Sequence, residues 1–250
     1  MIDIHAEKRH ATSVAASIPS MPAFDERLAL LKQEIVAQGR RVLDLCTRAV
    51  DCYFEGDLEK ARGVVAGDEA IDQADVAIER ASVPLLGMGQ TDEHAIRSVL
   101  TIVKVNNELE RIADDGVAIA EKVLEPHRFG ERVPDVFRVM ANSVLGVLRD
   151  ATRSLEREDP ELARQVLLFD DTVAQFKAQI LRETETEVVS GKASVGFAFR
   201  LLAVTKALER IADHATNICE QVIYLKRGLI VRHRPEGWSE PEAPQAHAKR

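Results

Sequence analysis

The feature that most constrains the fold of this chain is an internal duplication. The hexapeptide Leu-Glu-Arg-Ile-Ala-Asp occurs at residues 109–114 and again at 208–213, which is 99 positions later. Further pairs agree at this offset, namely Ile119 and Ile218, Glu121 and Glu220, and Val123 and Val222. Upstream pairs agree at an offset of 102, namely Asp57 and Asp159, Ala61 and Ala163, and Asp68 and Asp170. A repeated unit of about 100 residues predicts two tandem copies of one structural motif.

Each copy has the apolar spacing of three long helices. In the first helix, apolar residues recur at intervals of three and four, as at Leu28, Leu31 and Ile35, which places them on one face. The chain has only 13 Gly and 9 Pro among 250 residues, and so few turn residues are typical of long helices. We therefore predict an all-α protein made of six helices, arranged as two tandem, sequence-related three-helix bundles.

Helix-ending residues indicate the boundaries of these bundles. Asp57 and the pair Asp159-Pro160 are typical N-terminal caps for the second helix of each copy. We predict a flexible N-terminal arm at 1–22, a first bundle at 23–128, a second bundle at 131–228 and a disordered C-terminal tail at 229–250. The arm and the tail both contain prolines and show no helical period.

Composition excludes several classes of function. The formal net charge is −8, which disfavours electrostatic binding of nucleic acid and of anionic membranes. No segment has the roughly 18 consecutive apolar residues that a membrane span requires, so we expect no membrane insertion. Cys46, Cys52 and Cys219 are isolated within apolar helical patterns, which predicts buried free thiols in a reducing compartment. These features favour a cytoplasmic protein.

No catalytic motif stands out in the chain. It lacks the Gly-x-x-x-x-Gly-Lys loop of nucleotide-binding enzymes and the Gly-x-Ser-x-Gly elbow of hydrolases. A di-iron enzyme would need Glu-x-x-His pairs on core helices, and this spacing occurs only from Glu7 to His10, within the predicted arm. We therefore expect a protein that is not an enzyme.

Acidic residues instead form rows on three of the predicted helices. Glu110, Asp114 and Glu121 share one face of the third helix, and Glu209, Asp213 and Glu220 repeat this pattern on the sixth. The second helix carries its own row of Asp68, Asp72, Asp75 and Glu79. Like charges one turn apart repel each other, so the rows are either solvated helix faces or oxygen-ligand sites for metal ions.

The duplicated hexapeptide resembles the signature of the PhoU family of phosphate-uptake regulators. Three further segments fit the same family pattern, namely Phe24-Asp25-Glu26, Glu55-Gly56-Asp57 and Asn217-Ile218-Cys219-Glu220. The resemblance covers residues 24–228 and includes six helices in two repeats. It implies a fold of two similar three-helix bundles, as the periodicity also predicts, and a homodimer.

The resemblance also implies metal binding, because some family members hold iron clusters through pairs of acid-x-x-x-Asp motifs. Carried onto this chain, the first site would comprise Asp68, Asp72, Glu110 and Asp114, and the second Asp170, Glu209 and Asp213. The second site departs from the pattern, since Ala174 stands where an acid belongs. Asp171 and His214 are candidate replacement ligands. The metal would be iron, or else Zn, Mn or Mg.

As a function, the resemblance implies a regulator of phosphate homeostasis. Such a protein contacts the PstB-type ATPase subunit of the phosphate ABC transporter and a PhoR-type sensor histidine kinase. It restrains phosphate uptake and keeps phosphate-starvation genes off when phosphate is plentiful. Two alternatives remain open at this point: a PhoU-like paralogue that regulates a different transporter or stress response, and a metal-free helical scaffold.

Overall fold

The structure is a computed structural model that describes residues 24–88, 92–125, 133–168 and 170–231, with only the backbone given at 170 and 171. The predicted arm at 1–22 lies outside these ranges, as does the predicted tail from residue 232 onward. Within the described ranges the chain is almost entirely α-helical and contains no strand. The all-α prediction is therefore confirmed.

Seven helices are present in the described ranges. In chain order they are α1 (Phe24–Glu55), α2 (Leu58–Gly87), α3 (Glu93–Leu124), α4 (Asp135–Arg157), α5 (Pro160–Leu167), α6 (Asp170–Val189) and α7 (Val195–Arg227). The first three form one bundle, and α4 to α7 form the other. As predicted, the side chain of Asp57 caps α2 by accepting a hydrogen bond from the backbone N–H of Lys60. Asp159 caps α5 in the same way, with Pro160 in the first turn.

The prediction of six helices is wrong by one, because the middle helix of the second bundle is divided. The helical hydrogen-bond pattern stops at Leu168, whose backbone N–H donates to the carbonyl of Val166 rather than to a carbonyl four residues back. The apolar period continues across this break, so periodicity alone did not reveal it. At the offset of 102, Leu168-Phe169 replaces the small pair Ala66-Gly67 of the continuous helix α2.

The two bundles share one hydrophobic core, with α3 and α7 at its centre. These two helices run antiparallel and make the most extensive contact of any helix pair. Leu109, Ile112 and Ile211 are fully buried where they meet. A second contact joins α1 to α4, where the rings of Tyr53 and Phe137 lie 5.5 Å apart.

The second bundle continues slightly beyond its predicted end. Residues 229–231 fall in the predicted tail, yet Val231 is buried against the core. The three cysteines are free and buried, as the sequence predicts. Burial raises the pKa of the Cys52 thiol to about 11 and that of Cys219 to about 12. None of the helices described is long and apolar enough to cross a membrane.

Candidate functional site

The helices α2 and α3 bring five carboxylates together on the surface of the first bundle. We call this group the first acidic cluster; its members are Asp68, Asp72, Asp75, Glu110 and Asp114. Val64, Ile71 and Ile78 bury one face of α2. The acids therefore lie on the rim of that face, next to the acids of α3.

Acids of both helices contribute to the electrostatic repulsion within the first acidic cluster. Burial, followed by the charges of Asp72 and Asp114, raises the pKa of Asp68. Burial and the nearby charges of Asp114, Asp75 and Asp72 likewise raise the pKa of Glu110, although Arg111 opposes the shift. No member forms an ion pair with a lysine or arginine in the described ranges. The cluster thus carries negative charge that the described part of the chain does not neutralise.

One carboxylate oxygen of this cluster is buried without a hydrogen-bond partner among the described residues. This oxygen is Oδ1 of Asp68. By contrast, the side-chain amide of Asn106 donates to Oδ1 of Asp75 at 2.6 Å and to the carbonyl oxygen of Asp75 at 3.0 Å. A buried carboxylate oxygen without a partner is costly unless a cation or donor reaches it. The donor set of carboxylates in the first bundle therefore fits a hard or borderline cation.

The side chains of the first acidic cluster are nevertheless spread apart. Among the described residues, no three His, Cys, Asp or Glu side chains converge closely enough to hold a metal ion. Asp72 and Asp114 are exposed, while Asp68 and Glu110 are half-buried. Binding a cation would thus require the exposed acids to turn toward the buried ones.

The second bundle holds its corresponding glutamate quite differently. Both carboxylate oxygens of Glu209 accept hydrogen bonds from Nζ of Lys177 at 3.0 Å, and Oε2 also accepts from Lys206 at 2.8 Å. These two lysines lower the pKa of Glu209, although burial alone would raise it. Both carboxylate oxygens of Glu209 are therefore already engaged by ammonium groups. As described, Glu209 does not fit a metal site.

The other predicted members of the second site differ in what the structure describes of them. Asp213 is exposed on α7, one turn beyond Glu209. Asp170 begins α6, but its side chain and that of Asp171 are outside the described part. His214 lies between the bundles, with its Nδ1 2.8 Å from Oε2 of Glu108. His214 is therefore not directed at this set of acids, because the contact with α3 holds its ring.

Alignment of the two repeats explains why the acidic residues of the second bundle differ from those of the first. At the offset of 102, Asp72 corresponds to Ala174, Asp75 to Lys177 and Glu79 to Leu181. Three acids of α2 are thus replaced by a methyl group, an ammonium group and an apolar side chain. Sequence reasoning noted Ala174 but missed Lys177. The sequence did contain a signal for this lysine, because Lys177 lies one turn after Ala174 on the same helix.

The arginine of the hexapeptide also has two different roles. In the second copy, Nε of Arg210 donates to Oδ1 of Asp115 at 2.7 Å, which joins α7 to α3 across the bundle interface. In the first copy, Arg111 lies 3.8 Å from Glu108 on its own helix. Asn217 donates to the same Glu108 at 3.0 Å. The duplicated motif therefore contributes to the contact between bundles as well as to the acidic surface.

Comparison with known proteins identifies the repeat unit. A family model described as the PhoU domain matches this chain twice, at residues 35–123 and 137–222. The first match lies within α1 to α3, and the second lies within α4 to α7. The duplication found in the sequence therefore corresponds to two copies of one known domain.

Individual relatives agree with this result over most of the chain. A protein of Pseudomonas putida named phosphate-specific transport system accessory protein PhoU homolog is 32% identical, over 84% of this chain and 83% of its own length. The corresponding homolog 1 of Thermotoga maritima is 30% identical over 82% of this chain and 89% of its own length. The crystal structure of the phosphate transport system regulatory protein PhoU from Streptococcus pneumoniae has a TM-score of 0.77 at 27% identity, covering 84% of this chain and 99% of that one. By its duplicated domain, its sequence and its fold, this chain belongs to the PhoU family.

Proposed function

We propose that this protein is an accessory regulator of the phosphate-specific transport system. The observation that carries the proposal is the double match to the PhoU domain, together with the names of relatives that cover more than four fifths of the chain. The names of the relatives describe accessory and regulatory proteins, which supports a role in binding rather than in catalysis.

In this role the protein couples two partners and works in the cytoplasm as a homodimer. It contacts the PstB-type ATPase subunit of the phosphate ABC transporter and a PhoR-type histidine kinase. When phosphate is plentiful, these contacts restrain uptake and keep phosphate-starvation genes repressed. The family resemblance supports these partners, and the long exposed faces of α1, α2 and α6 offer surface for them.

Deletion of the gene tests the regulatory role. We expect a phosphate-starvation reporter to become active in phosphate-rich medium in the deletion strain, and to be silenced again by the wild-type gene on a plasmid. Pull-down of the purified protein with the ATPase subunit and with the kinase identifies the contacts separately. A reporter that stays silent in the deletion strain would refute the regulatory role and favour a paralogue serving a different transporter or stress response.

We further propose that the first acidic cluster binds a metal ion, with iron as the first candidate and Zn, Mn or Mg as alternatives. Asp68, Asp72, Glu110 and Asp114 would hold it, while Asp75 would add to the negative potential. A bound cation would neutralise carboxylates that now repel each other and would link α2 to α3. The buried oxygen of Asp68 without a partner and the raised pKa of Glu110 support this assignment.

For the second bundle, only a weaker or absent metal site is consistent with the lysines around Glu209. Asp170, Glu209 and Asp213 would bind metal only if Lys177 and Lys206 first released Glu209. We therefore expect the first bundle to bind more metal than the second.

Metal content measured on purified variants tests the assignment. After loading with iron, Zn, Mn or Mg and desalting, we expect Glu110→Gln and Asp68→Asn to lose bound metal, whereas Glu209→Gln keeps it. The double variant Ala174→Asp/Lys177→Asp should gain metal, since it restores the acids of the first bundle in the second. Thermal unfolding with and without metal provides a second readout.

A metal-free scaffold is the second candidate, and it is favoured by the spread of the carboxylates in the described conformation. In that case wild type and all variants would carry the same trace amount of metal. The first acidic cluster would then be a solvated surface facing a basic partner, and reporter silencing would survive Glu110→Gln.

A further inference from the structure

The second bundle has an apolar groove between α6 and the start of α7. Its volume is about 420 Å³. Its apolar lining includes Ile180, Leu181, Val188, Val195, Phe199 and Leu202. The surface of the groove is mostly carbon, which favours an apolar occupant.

The side chains around this groove are exposed to an unusual degree. Phe199 is 68% exposed and Val189 is 83% exposed, while Leu181 is 51% exposed. Val195 and Leu202 are also exposed beside them. Contiguous apolar patches of this kind are typical of interaction surfaces.

Two charged residues of opposite sign lie within the patch on α6. Lys177 and Glu185 both line the groove, four residues before and four residues after Leu181 on α6. Lys177 uses its ammonium group on Glu209 but has three protons to donate, and Glu185 makes no ion pair within the described part of the chain. If a second α6 packed antiparallel with Leu181 at the crossing point, each Lys177 would face the partner copy's equivalent of Glu185.

The same symmetry pairs the remaining positions of the helix. Seven residues on either side of Leu181 stand Ala174 and Val188, so an antiparallel pair would place a small side chain opposite a larger one. Ala174 is exposed and Val188 lines the groove, so both are available for such contact. A helix surface that is complementary to itself under a two-fold rotation is what an isologous dimer needs.

The first bundle differs from the second at the centre of this surface. Its residues at the positions of Lys177 and Leu181 are Asp75 and Glu79. An antiparallel pair of α2 helices centred on Glu79 would place this carboxylate opposite its own copy, and like charges repel each other. The rest of the face is apolar in both bundles, since Leu86 and Leu100 are exposed at the positions that correspond to Val188 and Phe199. The residues at the centre of the helix therefore distinguish the two surfaces.

We propose that a second copy of this chain occupies the groove, so that two molecules associate through antiparallel α6 helices centred on Leu181. Leu181 and Phe199 provide the buried apolar contact, and two Lys177–Glu185 pairs determine the register. This inference names the interface of the homodimer included in the proposed function, and it does not depend on the transporter or the kinase.

The first test is the mass of the full-length protein in solution, measured by sedimentation or by light scattering after gel filtration. We expect wild type to be dimeric at tens of micromolar, and Leu181→Asp or Phe199→Glu to weaken the dimer about 100-fold, since each change acts twice in a symmetric interface. The matched control is Leu30→Asp, because Leu30 is a leucine 60% exposed on α1, away from the groove. Circular dichroism confirms that each variant is folded.

The second test examines the register. Glu185→Lys alone, and Lys177→Glu in a Glu209→Gln background that avoids a new repulsion within the chain, should each weaken the dimer at least tenfold. A mixture of the two variants should form heterodimers with nearly wild-type affinity, because both charge pairs are then restored.

The outcomes of these tests distinguish the proposed dimer from the alternatives. A wild-type monomer at 100 micromolar, or a dimer that survives Leu181→Asp and Phe199→Glu, would overturn the proposal and leave the groove to a partner of another kind. A mixture that stays monomeric would overturn the antiparallel register. None of these results changes the reporter and pull-down tests of the regulatory role, so the two proposals fail independently.

Discussion

The acidic face of the first bundle and the corresponding face of the second show how one scaffold can hold carboxylates in two ways. In the first bundle Glu110 and Asp68 are half-buried among other acids, and their pKa values rise. In the second bundle Glu209 lies between Lys177 and Lys206, and its pKa falls. The backbone repeats, but within the described residues Glu110 and Asp68 lie among other acids, whereas Glu209 is neutralised by lysines of its own bundle.

This difference indicates which positions of the duplicated domain carry function. The hexapeptide is identical in both copies, and its leucine and isoleucine fill the shared core. The divergence lies on the partner helix, where Asp75 of α2 corresponds to Lys177 of α6. Residues of the core thus preserve the bundle, whereas the rim of α2 or α6 sets the charge that each bundle presents.

The largest difference that we predict between the bundles is in the stability lost when a side chain at the helix contact is changed. Gly116 on α3 and Ala215 on α7 occupy the same repeat position. A Cβ atom at Gly116 would lie 2.6 Å from Cδ2 of Leu45 and 3.1 Å from Sγ of Cys46, both on α1. We expect Gly116→Val to lower the free energy of unfolding by about 3 kcal/mol because it overpacks this contact.

Urea denaturation of the purified variants measures this effect. Ala215→Gly is the matched change in the second bundle and should cost only about 1 kcal/mol, mainly through helix propensity. If Gly116→Val proved the milder of the two, the close approach of α1 and α3 would not be a packing constraint.

A smaller difference is expected from the two arginines of the hexapeptide. The carboxylate of Asp115 is only 5% exposed, and its burial raises the pKa of Asp115 even though Arg210 donates to it. Arg210→Ala would leave this charge buried and unpaired, which we expect to cost about 2 kcal/mol at pH 7, since Arg210 itself is half-exposed. Arg111→Ala should cost less than about 0.5 kcal/mol, because Arg111 is exposed and lies 3.8 Å from Glu108, which His214 and Asn217 still contact.

Unfolding curves of both variants at two pH values measure the size of each loss of stability and test whether the charge of Asp115 causes it. The loss caused by Arg210→Ala should shrink on acidification, because a protonated Asp115 tolerates burial without a partner. Equal losses for Arg210→Ala and Arg111→Ala would show that the contact between the bundles does not depend on this ion pair.

Much of the fold could be predicted from the sequence, because its determinants are local or repeated. The apolar period identified the long helices, and Asp57 and Asp159 marked two of their starts correctly. The break at Leu168 could not be predicted, since one misdirected backbone hydrogen bond leaves the apolar period unchanged.

The candidate site was predictable to the extent that it depends on spacing within one helix. Asp68 with Asp72, and Glu110 with Asp114, were recognised as pairs one turn apart, and antiparallel packing then placed them side by side. The neutralisation of Glu209 by Lys177 was missed, because counting acids ignores the cations that lie between them. The contact of His214 with Glu108 joins residues 106 positions apart and so depends on how the two bundles dock.

The smallest predicted difference is the dependence of stability on pH, and it has opposite signs in the two bundles. Glu110 has a pKa above its usual 4.5 in the folded protein, so the folded state binds the extra proton and stability falls as the pH rises above about 4.5. Glu209 has a pKa below 4.5, so its contribution to stability is present above pH 4.5 and disappears as the pH falls through the lowered value.

Unfolding by urea between pH 3 and 7, for wild type, Glu110→Gln and Glu209→Gln in metal-free buffer, separates these contributions. At pH 7 we expect Glu110→Gln to stabilise the protein by a few tenths of a kcal/mol, because one repelling charge is removed. Glu209→Gln should destabilise it by about 0.5 kcal/mol, because two partly exposed ion pairs are lost. At pH 4.5 the first difference should be largely gone while most of the second remains. Two variants that lose their effects over the same pH range would mean that the acids of the two bundles experience the same electrostatic environment.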